Sequence, residues 1–253
     1  VFRSPENLVE EIKYLNNIYK CREFKFFDDT FTARKKNVID FCKLLVDTFD
    51  ERYFSWWCLC RANTIDQEVL KWLKKSGCDQ IKIGVESGSD RILELMHKDI
   101  STERVELAVN LAKKMGFWVH TFFMIGLPYE TLDDMSATIK FIKKINPDSI
   151  NLCTFTPYPG TELYDYCIEK KLLIQDDSYE QFKKIGHHST ENYFLENVSK
   201  NDYHLMLNKI LLVTTQITSR MTLKKIRFKI RTLTYAKVIR KGKFIYRKLA
   251  FRF

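Results

Sequence analysis

The sequence predicts an α/β fold in which one parallel sheet is built from successive strand–helix units. Five segments rich in β-branched and aromatic residues alternate with amphipathic segments, and about 26 to 37 residues separate successive strand starts. Two of the strands, 81–85 and 119–125, are mostly apolar, as strands buried on both faces must be. Each strand then runs into a polar or glycine-containing turn, which is where parallel α/β folds bind ligands.

The individual elements follow from local signals. A first helix begins at Ser4-Pro5-Glu6, because serine caps a helix and proline suits its first position. Thr64 with Gln67 resembles a capping box for a later helix, and Gly116 suits a left-handed helix end. The predicted strands are 24–27, 53–60, 80–85, 117–125 and 149–155, and the predicted helices are 5–19, 38–46, 64–77, 91–96, 102–115, 132–145 and 162–170, with a packing helix around 205–213.

The charge of the chain is unevenly distributed. The 253 residues carry 42 Lys and Arg against 32 Asp and Glu, but 13 of the bases and none of the acids lie in residues 220–253. The preceding residues therefore hold 29 bases against 32 acids and are slightly acidic. In the basic tail, aromatic and aliphatic residues are interleaved. The tail could contact RNA or an anionic membrane surface, or it could simply dock on the body of the protein.

The cysteines and the hydropathy of the sequence together indicate the cellular compartment of the protein. Seven cysteines scattered through a core-forming chain indicate reduced thiols, and no apolar run approaches the roughly 20 residues of a membrane span. We therefore expect a cytoplasmic protein, at most peripheral to a membrane. Cys58 and Cys60 point to the same face of a strand, where buried packing thiols are more usual than a metal pair. The adjacent His187 and His188 fit an exposed turn better than a metal site.

The candidate site residues stand at the carboxyl ends of the predicted strands. Asp28 and Asp29 could accept hydrogen bonds from an ammonium group, Arg61 could bind a carboxylate, and Glu86 could accept from ribose hydroxyls. Gly126 permits a ligand to approach the backbone closely. Each residue alone has a plainer interpretation as a turn former, a helix cap or a surface ion pair. Their recurrence at four or five successive strand ends favours one shared site for a polar cofactor.

Four motifs together resemble the radical SAM enzymes, and in particular the branch that often carries an N-terminal cobalamin-binding domain and also resembles the methylthiotransferases. The motifs are FFDDTF at 26–31, GVESGS at 84–89, MIGLPYET at 124–131 and TPYPGT at 156–161. The resemblance covers about residues 1–170. It implies a partial (β/α)6 TIM-like barrel, of which this chain would supply five of six strands, with the first strand missing.

The resemblance also implies cofactors and the residues that bind them. S-adenosylmethionine (SAM) would bind at a [4Fe-4S] cluster and be cleaved to a 5′-deoxyadenosyl radical, with electrons from a donor such as a flavodoxin or ferredoxin, and with cobalamin where the reaction is methyl transfer. The matching residues are Asp28, Asp29 and Thr30 for the methionine ammonium, Arg61 for its carboxylate, Glu86 and Ser87 for the ribose, Gly126 and Leu127 for the adenine, and Thr156 and Tyr158 for the edge of the base.

The chain departs from the family pattern in two places. Tyr129 stands where the family usually has glycine, which puts the tightness of that turn in question. The chain also lacks the Cys-x-x-x-Cys-x-x-Cys loop that holds the cluster and follows the first strand in the family. We therefore expect the cluster cysteines upstream of Val1, an N-terminally truncated core, and no activity of this chain alone. None of the seven cysteines is assigned to the cluster.

The sequence predicts three segments and leaves the function open between three classes. The segments are a radical SAM core at 1–170, a linker with a packing helix at 171–219, and a basic tail at 220–253. An ordinary (β/α) barrel aldolase or hydrolase would use Glu86 or Asp28 as a general base, but it needs eight strands. A noncatalytic scaffold or binding module would keep the fold without the cluster. For a radical SAM enzyme, methyl transfer, methylthiolation and ring or lipid modification all stay open.

Overall fold

The computed structural model describes residues 2–173, 185–186 and 188–219, so the basic tail and His187 lie outside the described residues. The strands are β1 (Glu23–Lys25), β2 (Ser55–Cys60), β3 (Cys78–Glu86), β4 (Trp118–Ile125) and β5 (Ser149–Thr154). They form one sheet in chain order, with β1 parallel to β2 and β4 parallel to β5. The predicted α/β fold, with the strand order of an incomplete barrel, is confirmed.

One helix precedes the first strand, and the others fill the connections between the strands or follow the last one. They are α1 (Pro5–Tyr19), α2 (Lys35–Phe49), α3 (Gln67–Lys75), α4 (Asp90–Leu95), α5 (Thr102–Lys114), α6 (Leu132–Ile145), α7 (Glu162–Glu169) and α8 (Lys200–Ser219). Within the described ranges, none of them combines the length and the apolarity that crossing a bilayer requires.

The helix ends confirm one capping prediction and correct another. The Ser4 side chain accepts a hydrogen bond from the Asn7 N–H, as expected for a cap. The predicted capping box at Thr64 is wrong, because Asp66 is the N-cap of α3 and its carboxylate accepts from the Val69 N–H at 2.8 Å. Thr64 instead ends a short 3-10 turn. Aspartate caps as well as threonine does, so the local sequence could not separate the two.

Contacts divide the described residues into two units, of which the first comprises residues 2–82 and 111–119. Its core is aromatic. The rings of Phe24, Phe26, Phe31, Phe41 and Trp56 pack with centroid separations between 4.4 and 5.9 Å. Such contacts add specific edge and face geometry to the burial of apolar area. They fix α2 against β1 and β2.

A buried ion pair lies at the amino-terminal ends of the strands in the first unit. An Arg52 nitrogen is 2.7 Å from Asp79 Oδ1, with both side chains less than a tenth exposed. Ser55 donates a hydrogen bond to Asp79 Oδ2 at 3.1 Å, and Lys74 Nζ lies 3.5 Å from Asp79 Oδ1. Burial lowers the pKa of Lys74, although the charge of Asp79 opposes this effect. The arrangement ties the segment before β2 to the start of β3.

The second unit comprises residues 83–110, 120–173, 185–186 and 188–219. One of its apolar clusters contains Ile92, Leu127, Phe155, Cys167 and Phe194. The predicted packing helix is confirmed as α8, which is longer than expected and packs on α6 and β5. Ahead of it, the buried Asn192 amide donates to the Phe155 carbonyl at 2.9 Å and to the Thr156 hydroxyl at 3.0 Å. The segment before α8 is thereby bonded to the carboxyl end of β5.

Candidate functional site

In the first unit, the predicted site residues follow two neighbouring parallel strands. Asp28 and Asp29 are exposed in the turn after β1, and Thr30 is half-buried just before a 3-10 turn. Arg61 is half-buried directly after β2. Because the carboxyl ends of parallel strands meet at one edge of a sheet, these residues emerge at the same edge. Their role in binding a cofactor stays a prediction.

In the second unit, Glu86 ends β3 in an unusual backbone conformation. Its φ is +68°, in the left-handed region that residues other than glycine rarely adopt. The Glu86 carboxylate pairs with Lys98 Nζ at 3.0 Å. His97 and Asp99, on either side of Lys98, both have a φ of +51°. Strained residues of this kind cluster at functional sites, and the ion pair is partly accessible to a ligand.

Lys98 is a site residue that the sequence does not predict. It lies in the short connection between α4 and α5, and nothing in its local pattern distinguishes it from a solvated surface lysine. Its role depends on the tertiary structure: after α4 the chain turns back, so that Lys98 lies beside Glu86 at the end of β3. A cation beside a carboxylate at a strand end gives the site one group of each charge.

The turn after β3 is bonded to α6. Ser87 is fully buried and its hydroxyl lies 3.3 Å from the Thr138 hydroxyl, which also accepts from the Gly88 N–H at 3.0 Å. A Cβ on Gly88 would lie 2.6 Å from the Thr138 Cα, so glycine is required for this approach. The Ser87 hydroxyl therefore serves the packing of the turn. Its predicted contact with a ribose stays a prediction.

Asp134 joins this turn to the one after β4. Its carboxylate accepts from the Ser89 hydroxyl at 2.6 Å, from the Thr131 N–H at 3.0 Å and from the Arg91 guanidinium. Burial alone would raise the pKa of Asp134, but these charged and neutral donors outweigh it and lower that pKa to about 2. Arg91 also donates to the Tyr129 carbonyl at 3.0 Å. One buried carboxylate thus ties together two loops that follow different strands.

The turn after β4 is held from within by Glu130. Its Oε2 accepts from the Gly126 N–H at 2.6 Å and from the Leu127 N–H at 3.3 Å. Gly126 has a φ of +88°, which glycine tolerates. Glu130 is fully buried, and this burial raises its pKa to about 8 against the effect of the two backbone hydrogen bonds. Tyr129 does not have a positive φ, so this turn closes without needing a glycine there.

A cavity of about 590 Å³ lies at the carboxyl ends of β4 and β5. Its walls are mainly apolar and aromatic, with threonine hydroxyls and a few ionisable groups between them; they are formed by Leu95, Met96, His97, Met124, Cys153, Thr154, Phe155, Thr156, Tyr158, Thr161, Glu162, Leu163 and Tyr166. Two predicted site residues, the buried Thr156 and the exposed Tyr158, are part of this lining. Burial raises the pKa of the Cys153 thiol, and the charge of Glu86 adds to this. The volume suits a small organic ligand.

The cysteines do not fit an iron–sulfur cluster. Across residues 2–173, 185–186 and 188–219, no three His, Cys, Asp or Glu side chains are grouped so as to hold a metal ion. Cys58 and Cys60 are buried with their sulfurs 3.7 Å apart, and burial raises the pKa of Cys58 and of the neighbouring Cys78. Cluster ligands must be thiolates, whereas these thiols stay protonated. Cys58 and Cys60 are packing thiols, as predicted.

The architecture of the described residues and the four motifs define a class of protein. Comparison with known families identifies this class. The profile of the Radical SAM superfamily matches residues 1–142, which is more than half of the chain. The chain therefore belongs to the radical SAM superfamily. This membership implies SAM and a [4Fe-4S] cluster as cofactors of the family, and it does not support the alternative of an ordinary barrel aldolase or hydrolase.

Particular relatives are similar over about two thirds of the chain. An uncharacterised methyltransferase of Pyrococcus horikoshii is 40% identical over 172 residues, which cover 68% of this chain and 37% of the relative. The anaerobic magnesium-protoporphyrin IX monomethyl ester cyclase of Rubrivivax gelatinosus is 26% identical over 179 residues, covering 70% and 32%. The chain thus spans about a third of the length of these relatives.

Among solved structures, the radical SAM methyltransferase TsrM of Kitasatospora setae, determined with cobalamin and a [4Fe-4S] cluster bound, has a similar fold. The TM-score is 0.58 at 17% identity, and the match covers 66% of this chain and 32% of that one. At this identity the likeness concerns the fold alone. It agrees with the predicted partial barrel.

Proposed function

We propose that this chain is the SAM-binding part of a radical SAM enzyme that transfers a methyl group. The family membership supports the enzyme class, and the relative from Pyrococcus horikoshii supports methyl transfer. The observation that carries the proposal is the cavity at the ends of β4 and β5. Its lining includes His97, which precedes Lys98 in the chain, and Cys153. The charge of Glu86 contributes to the raised pKa of Cys153, so Glu86 lies near this cavity.

The residues of the second unit suit the parts of SAM. The apolar wall formed by Met124, Phe155 and Tyr158 would hold the flat adenine. The Glu86 carboxylate would accept hydrogen bonds from the ribose hydroxyls, and the Lys98 ammonium would bind the methionine carboxylate. The roles predicted for Asp28, Asp29, Thr30 and Arg61 of the first unit, at the amino-acid end of SAM, rest on the family motif alone. When bound, SAM supplies the methyl group and the radical chemistry of the family.

The remaining parts of the enzyme are proposed from the family and the relatives. We propose cluster cysteines upstream of Val1, because the described cysteines do not fit the cluster. Cobalamin is proposed because TsrM, which shares the fold, was determined with cobalamin bound. A small electron-transfer protein such as a flavodoxin or ferredoxin would reduce the cluster. The basic tail, which lies outside the described residues, is proposed to contact either RNA or an anionic membrane surface.

The test uses the full-length protein, reconstituted anaerobically with iron and sulfide. Glu86→Gln and Lys98→Met should each weaken SAM binding in equilibrium dialysis about tenfold or more, because each loses a charge-assisted hydrogen bond. Glu94→Gln and Lys140→Met, exposed on α4 and α6, are matched controls and should bind SAM normally. Normal binding by both site variants would refute this placement of SAM.

The same preparation separates an enzyme from a scaffold. A radical SAM enzyme should form 5′-deoxyadenosine from SAM when a reductant is added, and a methyltransferase with cobalamin should also show the absorption spectrum of the bound corrinoid. A protein that assembles the cluster and binds SAM but never forms 5′-deoxyadenosine would favour the noncatalytic scaffold. Loss of turnover in Lys98→Met without loss of the cluster would support the proposed site.

A further inference from the structure

The Glu86 carboxylate lies back along β3, over a glycine. A Cβ built on Gly84 would be 2.8 Å from Glu86 Oε1, 3.7 Å from Lys98 Nζ and 3.9 Å from Glu86 Cδ. Side chains two residues apart on one strand ordinarily stand about 6.5 Å apart on the same face. The Glu86 side chain has therefore turned towards Gly84, and its carboxylate occupies the space that a side chain at position 84 would need.

Unusual backbone conformations surround the ion pair, but Gly84 does not have one. Glu86, His97 and Asp99 all have a positive φ, which residues other than glycine adopt only at a cost in free energy. His97 and Asp99 flank Lys98, whose ammonium reaches 3.0 Å from Glu86 Oε1. Gly84, in contrast, has no positive φ, so its backbone conformation is open to any residue. The reason for a glycine at position 84 is therefore space for the carboxylate.

We propose that Gly84 is a positioning residue of the candidate site: because it has no side chain, the Glu86 carboxylate can lie over β3 beside Lys98, where it would accept the ribose hydroxyls. This inference rests on the proposed function, in which Glu86 binds the ribose of SAM. Gly84 has no side chain to offer the ligand, so it acts through Glu86. An alanine at position 84 would push the carboxylate away, because the atom that it meets is the end of a flexible side chain.

Gly84 differs in this respect from Gly88 of the same motif. A Cβ at position 88 would meet the Thr138 Cα of α6 at 2.6 Å, whereas the three atoms nearest to a Cβ at position 84 all belong to side chains. A glycine in the interior of a strand also weakens that strand relative to alanine. Gly84→Ala should therefore leave the fold as stable as before or make it more stable. On this inference the protein keeps a less stable strand for the geometry of its site.

The test compares SAM with its analogues that lack the 2′- or the 3′-hydroxyl, using the full-length protein. In equilibrium dialysis, Gly84→Ala should weaken SAM binding about tenfold, and adding Glu86→Gln should cause no further loss, because both changes remove the same contact. For at least one analogue the loss in Gly84→Ala should shrink to about twofold or less, whereas a general disturbance would weaken all three ligands equally. Gly186→Ala is the matched control, since its new Cβ would have no atom within 4 Å.

A crystal structure of full-length Gly84→Ala without SAM, together with its urea midpoint, separates this inference from the proposed function. The contact of 3.0 Å between Glu86 Oε1 and Lys98 Nζ should be broken, and the urea midpoint should not fall. An intact contact, a lower midpoint or a failure to fold would overturn the inference, whatever happens to SAM. A broken contact with weakened SAM binding supports both. A broken contact with unchanged SAM affinity supports the role of Gly84 but overturns the placement of the ribose at Glu86.

Discussion

The two units bury their charges at opposite ends of their strands. In the first unit, the ion pair of Arg52 and Asp79 lies where β2 and β3 begin. In the second unit, the buried or partly buried carboxylates Glu86, Glu130 and Asp134 lie at or just beyond the carboxyl ends of β3 and β4. In parallel α/β folds the carboxyl ends carry the chemistry and the amino ends carry stability. The contrast predicts that similar networks will respond differently to substitution.

The largest effect is expected at the amino-terminal ends. Arg52→Ala should lower the free energy of unfolding by about 3–5 kcal/mol, because it leaves the buried Asp79 carboxylate without its closest cation. Urea unfolding would measure the loss. SAM affinity of the remaining folded protein should not change. Replacing both partners, as Arg52→Met with Asp79→Leu, is the control and should recover most of the stability, since both fully buried charges are gone and the partly exposed Lys74 ammonium keeps its hydrogen bond to the Gly116 carbonyl.

Two results would contradict the expected effect of Arg52→Ala. A loss of less than about 1 kcal/mol for Arg52→Ala would mean that the pair is not needed for stability. A change of SAM affinity in the recovered double variant would show that the amino-terminal network also serves the site, and the contrast between the two units would then be lost.

The turn after β3 should give the next largest effect. In Gly88→Ala the new Cβ would lie 2.6 Å from the Thr138 Cα and 2.7 Å from the Phe141 Cβ, and neither can move without shifting α6. We expect a loss of about 3 kcal/mol in urea unfolding, together with weaker SAM binding, because the turn carries Glu86. Gly186→Ala is the control, since its new Cβ would have no atom within 4 Å. Equal stability of the two variants would contradict the packing described here.

Asp134 should give a smaller effect that depends on pH. Its pKa in the folded protein is about 2, against an ordinary value of 3.8. Its contribution is therefore fully present above pH 3.8 and is lost as the pH falls towards 2. At neutral pH, Asp134→Asn should cost about 2 kcal/mol, and the difference from the wild type should shrink through that acid window. Asp133→Asn, exposed on the same helix, should follow the wild type at each pH; a constant deficit in Asp134→Asn would point to lost packing instead.

The order of elements could be predicted from the sequence because strand and helix periodicities alternate without ambiguity. The aromatic segment around Phe24 was recognised as a strand, although it is regular only over Glu23–Lys25 and continues through a single further hydrogen bond from the Phe26 N–H to the Trp57 carbonyl. An apolar pattern indicates a strand, but it does not determine where the hydrogen bonds between that strand and its neighbour end. The cap of α3 was misplaced for the related reason that two good caps, Thr64 and Asp66, stand two residues apart.

The position of a candidate site residue could be predicted where it follows from the end of a strand, as for Glu86, Thr156 and Tyr158, whose roles stay predictions. It could not be predicted where the role depends on a side chain that folds back or arrives from elsewhere. Glu130 bonds to amides three and four residues before it, and Tyr203 reaches Gly126 from another helix. Ser87 has the chemistry to bind a ribose, but its burial against Thr138 depends on a packing that its neighbours in sequence do not reveal.

Cys153 gives the protein a built-in footprinting probe. All seven cysteines lie within the described part of the chain, and among them only Cys21 and Cys153 are half-exposed. A small alkylating reagent, applied at mildly alkaline pH because burial raises the pKa of Cys153, would label this thiol in the cavity wall. A ligand seated there would shield it, with Cys21 as the internal standard. Mass spectrometry of the alkylated protein would then measure the fraction of molecules that hold a ligand in this cavity, before any turnover begins.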